Sequence, residues 1–137
     1  IDFGGSSMNK IADGIMTGEF NGKDIGTSDA TAGEINGDGY ADEVVGADLY
    51  NSNTGRAYIY YGGAAMNNST DVILTGAAAN NTFAKSVSSA GDVNGDGFSD
   101  VIIGANGYTS NTGRAYIFFG GASMENTADV LLTGCLL

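Results

Sequence analysis

The chain contains no histidine, so catalysis by an imidazole base and zinc ligation through imidazole are both excluded. It contains no proline and no tryptophan, and only five basic residues against 16 acidic ones. The resulting net charge of −11 argues against nucleic acid and anionic membrane surfaces as partners, because both are held by Lys and Arg. A single cysteine, Cys135, cannot form an internal disulfide and reads as a small apolar residue in a terminal strand. No apolar run approaches the ~18 residues of a membrane-spanning helix, so no membrane insertion is expected. No signal peptide is visible and the first residue is not Met, as expected of a processed or excised segment. No nucleophile–base pair stands out, so no catalysis is expected.

What is abundant is glycine, 23 residues in 137, without a triplet period. With Tyr, Phe, Val and Ile gathered in short runs, this composition describes short strands joined by tight turns. The chain also repeats itself at an offset of 58 residues. Asn36-Gly37-Asp38-Gly39 recurs as Asn94-Gly95-Asp96-Gly97, and Thr54-Gly55-Arg56-Ala57-Tyr58-Ile59 recurs as Thr112 to Ile117. Phe3-Gly4-Gly5, Tyr61-Gly62-Gly63 and Phe119-Gly120-Gly121 keep the same offset, as do Met8, Met66 and Met124, and Asp13, Asp71 and Asp129.

Each unit reads as four strands. These are about 25–35, 43–47, 56–61 and 71–75 in the first copy, and 83–93, 101–105, 114–119 and 129–133 in the second. The second strand of each, Glu43 to Ala47 and Val101 to Ala105, is apolar enough to be covered on both faces. Residues 13–17 repeat the fourth strand. Four strands per unit is the pattern of a β-propeller blade. The expected fold is therefore all-β: two four-stranded antiparallel blades plus one extra strand. The domains run 1–18 (outer-strand remnant of a preceding blade), 19–76 (first blade) and 77–137 (second blade). Two blades cannot close a ring, which takes about four to eight. The partners implied are other blades, either copies of this chain or the rest of a longer parent chain. Three copies would supply six blades, with residues 13–17 completing a neighbour's blade in place of its 129–133 strand.

The repeated loop carries the chemistry. In Asp92-Val93-Asn94-Gly95-Asp96-Gly97-Phe98-Ser99-Asp100, side-chain oxygens fall at positions one, three, five and nine. Glycine at position six permits a sharp turn, and position seven offers its carbonyl. Calcium takes six to eight oxygens, so Asp92, Asn94, Asp96, the Phe98 carbonyl, Asp100 and water form a suitable set. The first copy supplies Glu34, Asn36, Asp38, the Tyr40 carbonyl and Asp42. An all-oxygen set suits calcium better than zinc or copper. An EF-hand would need an acid at position twelve, where Val45 and Ile103 stand. The competing reading is a metal-free Asn-Gly/Asp-Gly turn, disfavoured because both copies keep the same acid spacing. Two bound calcium ions would move the net charge from −11 to −7. Glu34 stands where the other copy has Asp92, and its extra methylene predicts a weaker or distorted site.

These residues together resemble the FG-GAP repeat of integrin α-subunit propellers and their bacterial relatives. The likeness rests on the D-x-N-x-D-G-x-x-D loop, the following strand ending in Gly46-Ala47 or Gly104-Ala105, and Gly-Arg-Ala-Tyr-Ile-[YF]. Phe83-Ala84 and Ile25-Gly26 match the Phe-Gly imperfectly, and Asp48 and Asn106 replace the motif's Pro. The resemblance implies a seven-bladed propeller, with calcium on the loop between the first and second strands of a blade. It implies a secreted or cell-surface protein whose blades serve adhesion as a structural module. A carbohydrate-binding propeller, or an accessory domain of a secreted polysaccharide-acting enzyme, is the alternative. Tyr50 and Tyr108 could then stack on a glycan, or simply anchor their own loops. Arg56 and Arg114 read as ligand-facing cations or as ion pairs that repeat with the blade. The three methionines read as packing between blades.

Overall fold

The computed structural model describes residues 14–19 and 24–135. Among the described residues, eight strands form two antiparallel sheets, each a meander in chain order. The first holds β1 (Ser28–Gly33), β2 (Asp42–Ala47), β3 (Arg56–Tyr60) and β4 (Val72–Thr75). The second holds β5 (Phe83–Gly91), β6 (Asp100–Ala105), β7 (Arg114–Phe118) and β8 (Val130–Thr133). The register repeats with the sequence. Val44 faces Ile59 across β2–β3 as Ile102 faces Ile117 across β6–β7. The one-turn segments α1 (Tyr50–Asn53) and α2 (Tyr108–Asn111) follow β2 and β6. Both carry left-handed backbone inside, so they are turns rather than helices with an axis.

The pleat places alternate residues on opposite faces. Val44, Ala57, Ile59 and Leu74 of the first sheet are all fully buried against Val101, Ile103, Ala105, Tyr116 and Phe118 of the second. Phe83, at the start of β5, sits in this seam. Its ring meets Tyr116 edge-on at 5.1 Å and Phe118 at 6.2 Å. The opposite face of the first sheet buries Val45, Ala47, Tyr58 and Tyr60 under Met16, Ile25, Tyr50 and Met66. These four are the 58-residue counterparts of Ile103, Ala105, Tyr116 and Phe118. The packing is therefore head to tail, one face of a sheet against the other face of its neighbour. On the far side of the second sheet Ile102, Ala115 and Ile117 are half-buried, and Leu132 is 50% exposed, where its counterpart Leu74 is covered.

The expected strands stand within a few residues of their predicted limits, but two expectations change. Residues 14–17 form no strand. An outer strand is defined by its ladder to an inner one, and here Met16 instead packs on the Tyr58–Tyr60 face of the first sheet. Cys135 lies beyond the end of β8 and is exposed, not packed in a terminal strand. Met66 packs on the outer face of the first sheet and Met124 against the seam. Met8, Asp13 and the Phe3-Gly4-Gly5 copy lie outside the described residues.

Phe83→Ala removes a large, fully buried ring from the seam and should cost about 3–5 kcal/mol in denaturant unfolding. A loss below ~1 kcal/mol would show that the seam closes without the ring.

Candidate functional site: the acidic loops and the Arg–Tyr corners

The bends between β1 and β2 and between β5 and β6 hold the predicted ligands. Gly39 and Gly97, at position six, have φ of +92° and +93°, a conformation that a side chain disfavours. The other positions fold their oxygens back into the loop as Asx turns. Asn94 Oδ1 accepts the Asp96 N–H at 3.1 Å, and Asp96 Oδ1 accepts the Phe98 N–H at 3.0 Å. Asn36 and Asp38 repeat this pattern at 3.1 and 2.9 Å. In both loops the position-three amide donates to the position-five carboxylate at 2.9 Å.

Position nine behaves differently from the rest. Asp42 and Asp100 are 1% and 0% exposed, and backbone donors take both oxygens of each. Asp42 Oδ2 accepts the Ile35 N–H at 2.7 Å and Oδ1 the Gly62 N–H at 2.9 Å. Asp100 does the same with Val93 at 2.7 Å and Gly120 at 2.9 Å. Each aspartate thus joins its loop to the turn after β3 or β7. The glycines of the repeated Gly-Gly pair make this approach possible. A Cβ on Gly62 would strike the Ala41 carbonyl, and one on Gly120 the Ser99 carbonyl. Burial raises the Asp42 carboxyl above its ordinary range, with the Asp38 charge adding to it and the Gly62, Ile35 and Asn36 N–H groups opposing it.

Position one separates the copies. Asp92 accepts three N–H groups, from Gly95 and Asp96 on Oδ1 and from Gly97 on Oδ2. The longer Glu34 is recorded with one, from Gly39 at 2.8 Å. The loops also touch each other. The Ser99 N–H donates to the Glu34 carbonyl at 2.8 Å, the Glu34 N–H donates to Ser99 Oγ at 3.1 Å, and the Phe98 ring fills the space beside Gly37. Tyr40 is exposed and Phe98 half-buried. Among the described residues, no three Asp, Glu, Cys or His side chains converge as a preformed metal group. The loop carboxylates are turned onto N–H donors. The set is nevertheless all-oxygen and held on one tight bend, the donor type that a hard cation takes.

The repeated basic residues form a second pair of sites at the start of β3 and β7. The Arg56 guanidinium lies 3.8 Å over the Tyr50 ring, and Arg114 lies 3.7 Å over Tyr108. One face of each loop aromatic is therefore covered by a cation and anchors its own turn. Arg56 is ion-paired with Glu19 at 2.7 Å. A second ion pair among the described residues joins Lys85 to the buried Asp48 at 3.0 Å. Asp71 and Asp129, repeated without an evident role in the sequence, accept the Tyr61 and Phe119 N–H groups at 2.7 Å. Their fixed offset from the Gly-Gly pairs was the available signal. Glu19 gave no such signal, because its counterpart in the second copy is Ala77.

Burial pushes the Tyr58 hydroxyl up to about 12, and the Glu19 charge adds to it. An unfolded phenol ionises near ~10. The folded chain thus keeps a neutral phenol where the unfolded chain would release its proton. This contribution is whole below pH ~10 and is lost as the pH rises through about 12. Ultraviolet titration of wild type against Tyr58→Phe should show one tyrosine ionising at about 12, and its ionisation at the ordinary value would contradict the buried corner.

Comparison with known proteins agrees with this architecture. The FG-GAP repeat model matches residues 26–60 and 83–118, covering β1–β3 and β5–β7. The chain is 36% identical over 99 residues to Integrin alpha-5 of Xenopus laevis, covering 66% of this chain and 9% of that protein. It is 33% identical over 120 residues to Integrin alpha-PS2 of Drosophila melanogaster, covering 78% of this chain and 8% of that one. It is 31% identical over 117 residues to Integrin alpha-6 of Gallus gallus, covering 79% of this chain and 10% of that one. The chain thus spans about a tenth or less of the length of these relatives. No helix among the described residues is long and apolar enough to cross a membrane. Two unclosed four-stranded sheets with a family match in both copies make the chain a member of the FG-GAP repeat family, with its sheets as β-propeller blades.

Proposed function

We propose that the chain is a calcium-stabilised pair of blades from an extracellular, adhesion-type propeller, with units 19–76 and 77–137 and no catalysis of its own. The observation that carries this reading is the repeated bend that folds oxygens from positions one, three, five and nine back onto one short loop. Asp92, Asn94, Asp96, Asp100 and the Phe98 carbonyl would hold one ion. Glu34, Asn36, Asp38, Asp42 and the Tyr40 carbonyl would hold the other. A bound calcium ion supplies positive charge that offsets three carboxylates within one loop. Because the loops also hydrogen-bond to each other through Glu34 and Ser99, stiffening one bend stiffens the joint between blades.

The likeness to integrin α-subunits supports the adhesion setting and the surface location. The half-open far face of the second sheet supports further blades as the neighbours. Ile102, Ala115, Ile117 and Leu132 repeat the residues that the first sheet buries against the second, so a further blade of a longer chain fits there. The capped ring faces of Tyr50 and Tyr108 give the glycan-stacking alternative no particular support.

Calcium titration of the chelator-treated chain tests the reading. Two ions should bind, the Asp92 loop more tightly than the Glu34 loop, and calcium should raise the melting temperature. Asp96→Ala should abolish the tighter event and Asp38→Ala the weaker one, since each removes a carboxylate ligand. No uptake, or an unchanged melting temperature, would overturn the calcium assignment, and equal affinities would remove the distinction between Glu34 and Asp92.

A further inference from the structure

The 58-residue repeat makes each unit a control for the other. In the first unit a single carboxylate oxygen, Glu19 Oε2, accepts from Arg56 Nη1 at 2.7 Å and from the Tyr58 hydroxyl at 3.4 Å. Arg56 is held in place by Tyr50 beneath it and by a hydrogen bond from its Nε to Thr75 Oγ1 at 3.1 Å. The second unit builds the same corner. Arg114 lies over Tyr108, 5.9 Å from the Tyr116 ring centroid, and its Nε donates to Thr133 Oγ1 at 2.9 Å.

The carboxylate is what differs. The counterpart of Glu19 is Ala77, which cannot accept a hydrogen bond through its side chain. Tyr116 is 7% exposed, and among the described residues its buried hydroxyl has no hydrogen-bond partner. Among the described residues, Arg114 makes no ion pair. A buried hydroxyl without a partner is uncommon and costly, and an added acceptor would relieve that cost. In the second unit Ala77 is exposed and Arg114 is half-buried.

We propose that Arg114 and Tyr116, positioned by Thr133 and Tyr108, form a binding site for a carboxylate that takes the place Glu19 fills in the first unit. A guanidinium and a phenol match a carboxylate because both only need an acceptor, and the charge-assisted bond is the stronger of the two. The ligand class is a free small carboxylic acid or the side-chain carboxylate of a peptide segment. The site is independent of the calcium loops, since none of its residues is a candidate metal ligand. With a chain charge of −11, an anion is drawn here by the local guanidinium and not by the overall field, so binding weakens as salt rises.

The test is a titration of the full chain with acetate and, separately, with N-acetyl-glutamic acid amide, followed by NMR of the Tyr116 ring at constant ionic strength. Wild type should show one saturable site. Arg114→Gln should weaken it about tenfold, the loss of one charge-assisted hydrogen bond. Two further variants at solvent-reachable positions keep the test decisive if that one unfolds. Glu19→Ala should open the first corner and raise the stoichiometry to two. Ala77→Glu should place a carboxylate in the second corner, abolish binding of both probes and raise the melting temperature. Binding of both probes supports a peptide side chain as the source, and binding of acetate alone supports a free acid. Phosphate binding as tight as acetate would overturn the carboxylate assignment. So would the absence of a saturable site in wild type, or a stoichiometry indifferent to Glu19→Ala and Ala77→Glu.

Discussion

A buried, doubly bonded aspartate at the ninth loop position is the contact on which each blade depends. Asp42 and Asp100 lie at the first residue of β2 and β6, inside the protein, with both oxygens accepting backbone N–H groups. One bond reaches back to Ile35 or Val93 in the loop, the other across to Gly62 or Gly120 after the third strand. A carboxylate in that position costs desolvation free energy, and only saturated hydrogen bonding offsets it. At Asp42 burial outweighs the bonds from Gly62, Ile35 and Asn36 and holds the carboxyl above its ordinary range. The calcium proposed for the loop would add to the compensation that these bonds supply.

Much of the surrounding structure follows from that contact. The Gly-Gly pair is repeated because a side chain at Gly62 or Gly120 would block the donor's approach. The Gly121 N–H then reaches the Ile35 carbonyl of the other unit at 2.8 Å, so the same turn that binds its own aspartate also joins the blades. The apolar seam is continuous with this joint, running from Ile35 through Val44 and Ile59 to Phe83 and Phe118. The loops, the turns and the seam therefore form one mechanical unit. Two differences between the copies bear on its chemistry: Glu34 against Asp92 at the loop, and Glu19 against Ala77 at the arginine corner.

The repeat made most of the fold legible. Strands of a blade are set by alternation and by turn residues, both local, and the second copy confirmed each reading of the first. The bends between the first two strands were legible for the same reason. What was hidden depends on contacts across the chain. Sequence spacing makes Asp42 one ligand among equals, whereas its burial and its bond to Gly62 become visible only when β3 returns beside the loop. Residues 13–17 share the pattern of a fourth strand, yet residues 14–17 form none, because a pattern states which face is apolar and not whether an inner strand stands beside it. The arginine corner was half legible: Arg56 and Arg114 repeat, but the carboxylate that distinguishes them comes from Glu19, a position that does not. Cys135 was misplaced because β8 ends before it.

The most direct test of the central claim is the unfolding free energy of Asp100→Asn measured with calcium removed by chelator. Asparagine keeps the size of the side chain and one acceptor but turns an NH2 group toward a backbone N–H. With one of the Val93 and Gly120 bonds broken in a buried site, the account predicts a loss of about 1–3 kcal/mol even without metal. An unchanged stability in chelator, with a loss only when calcium is present, would contradict it, and would make Asp100 a ligand and nothing more.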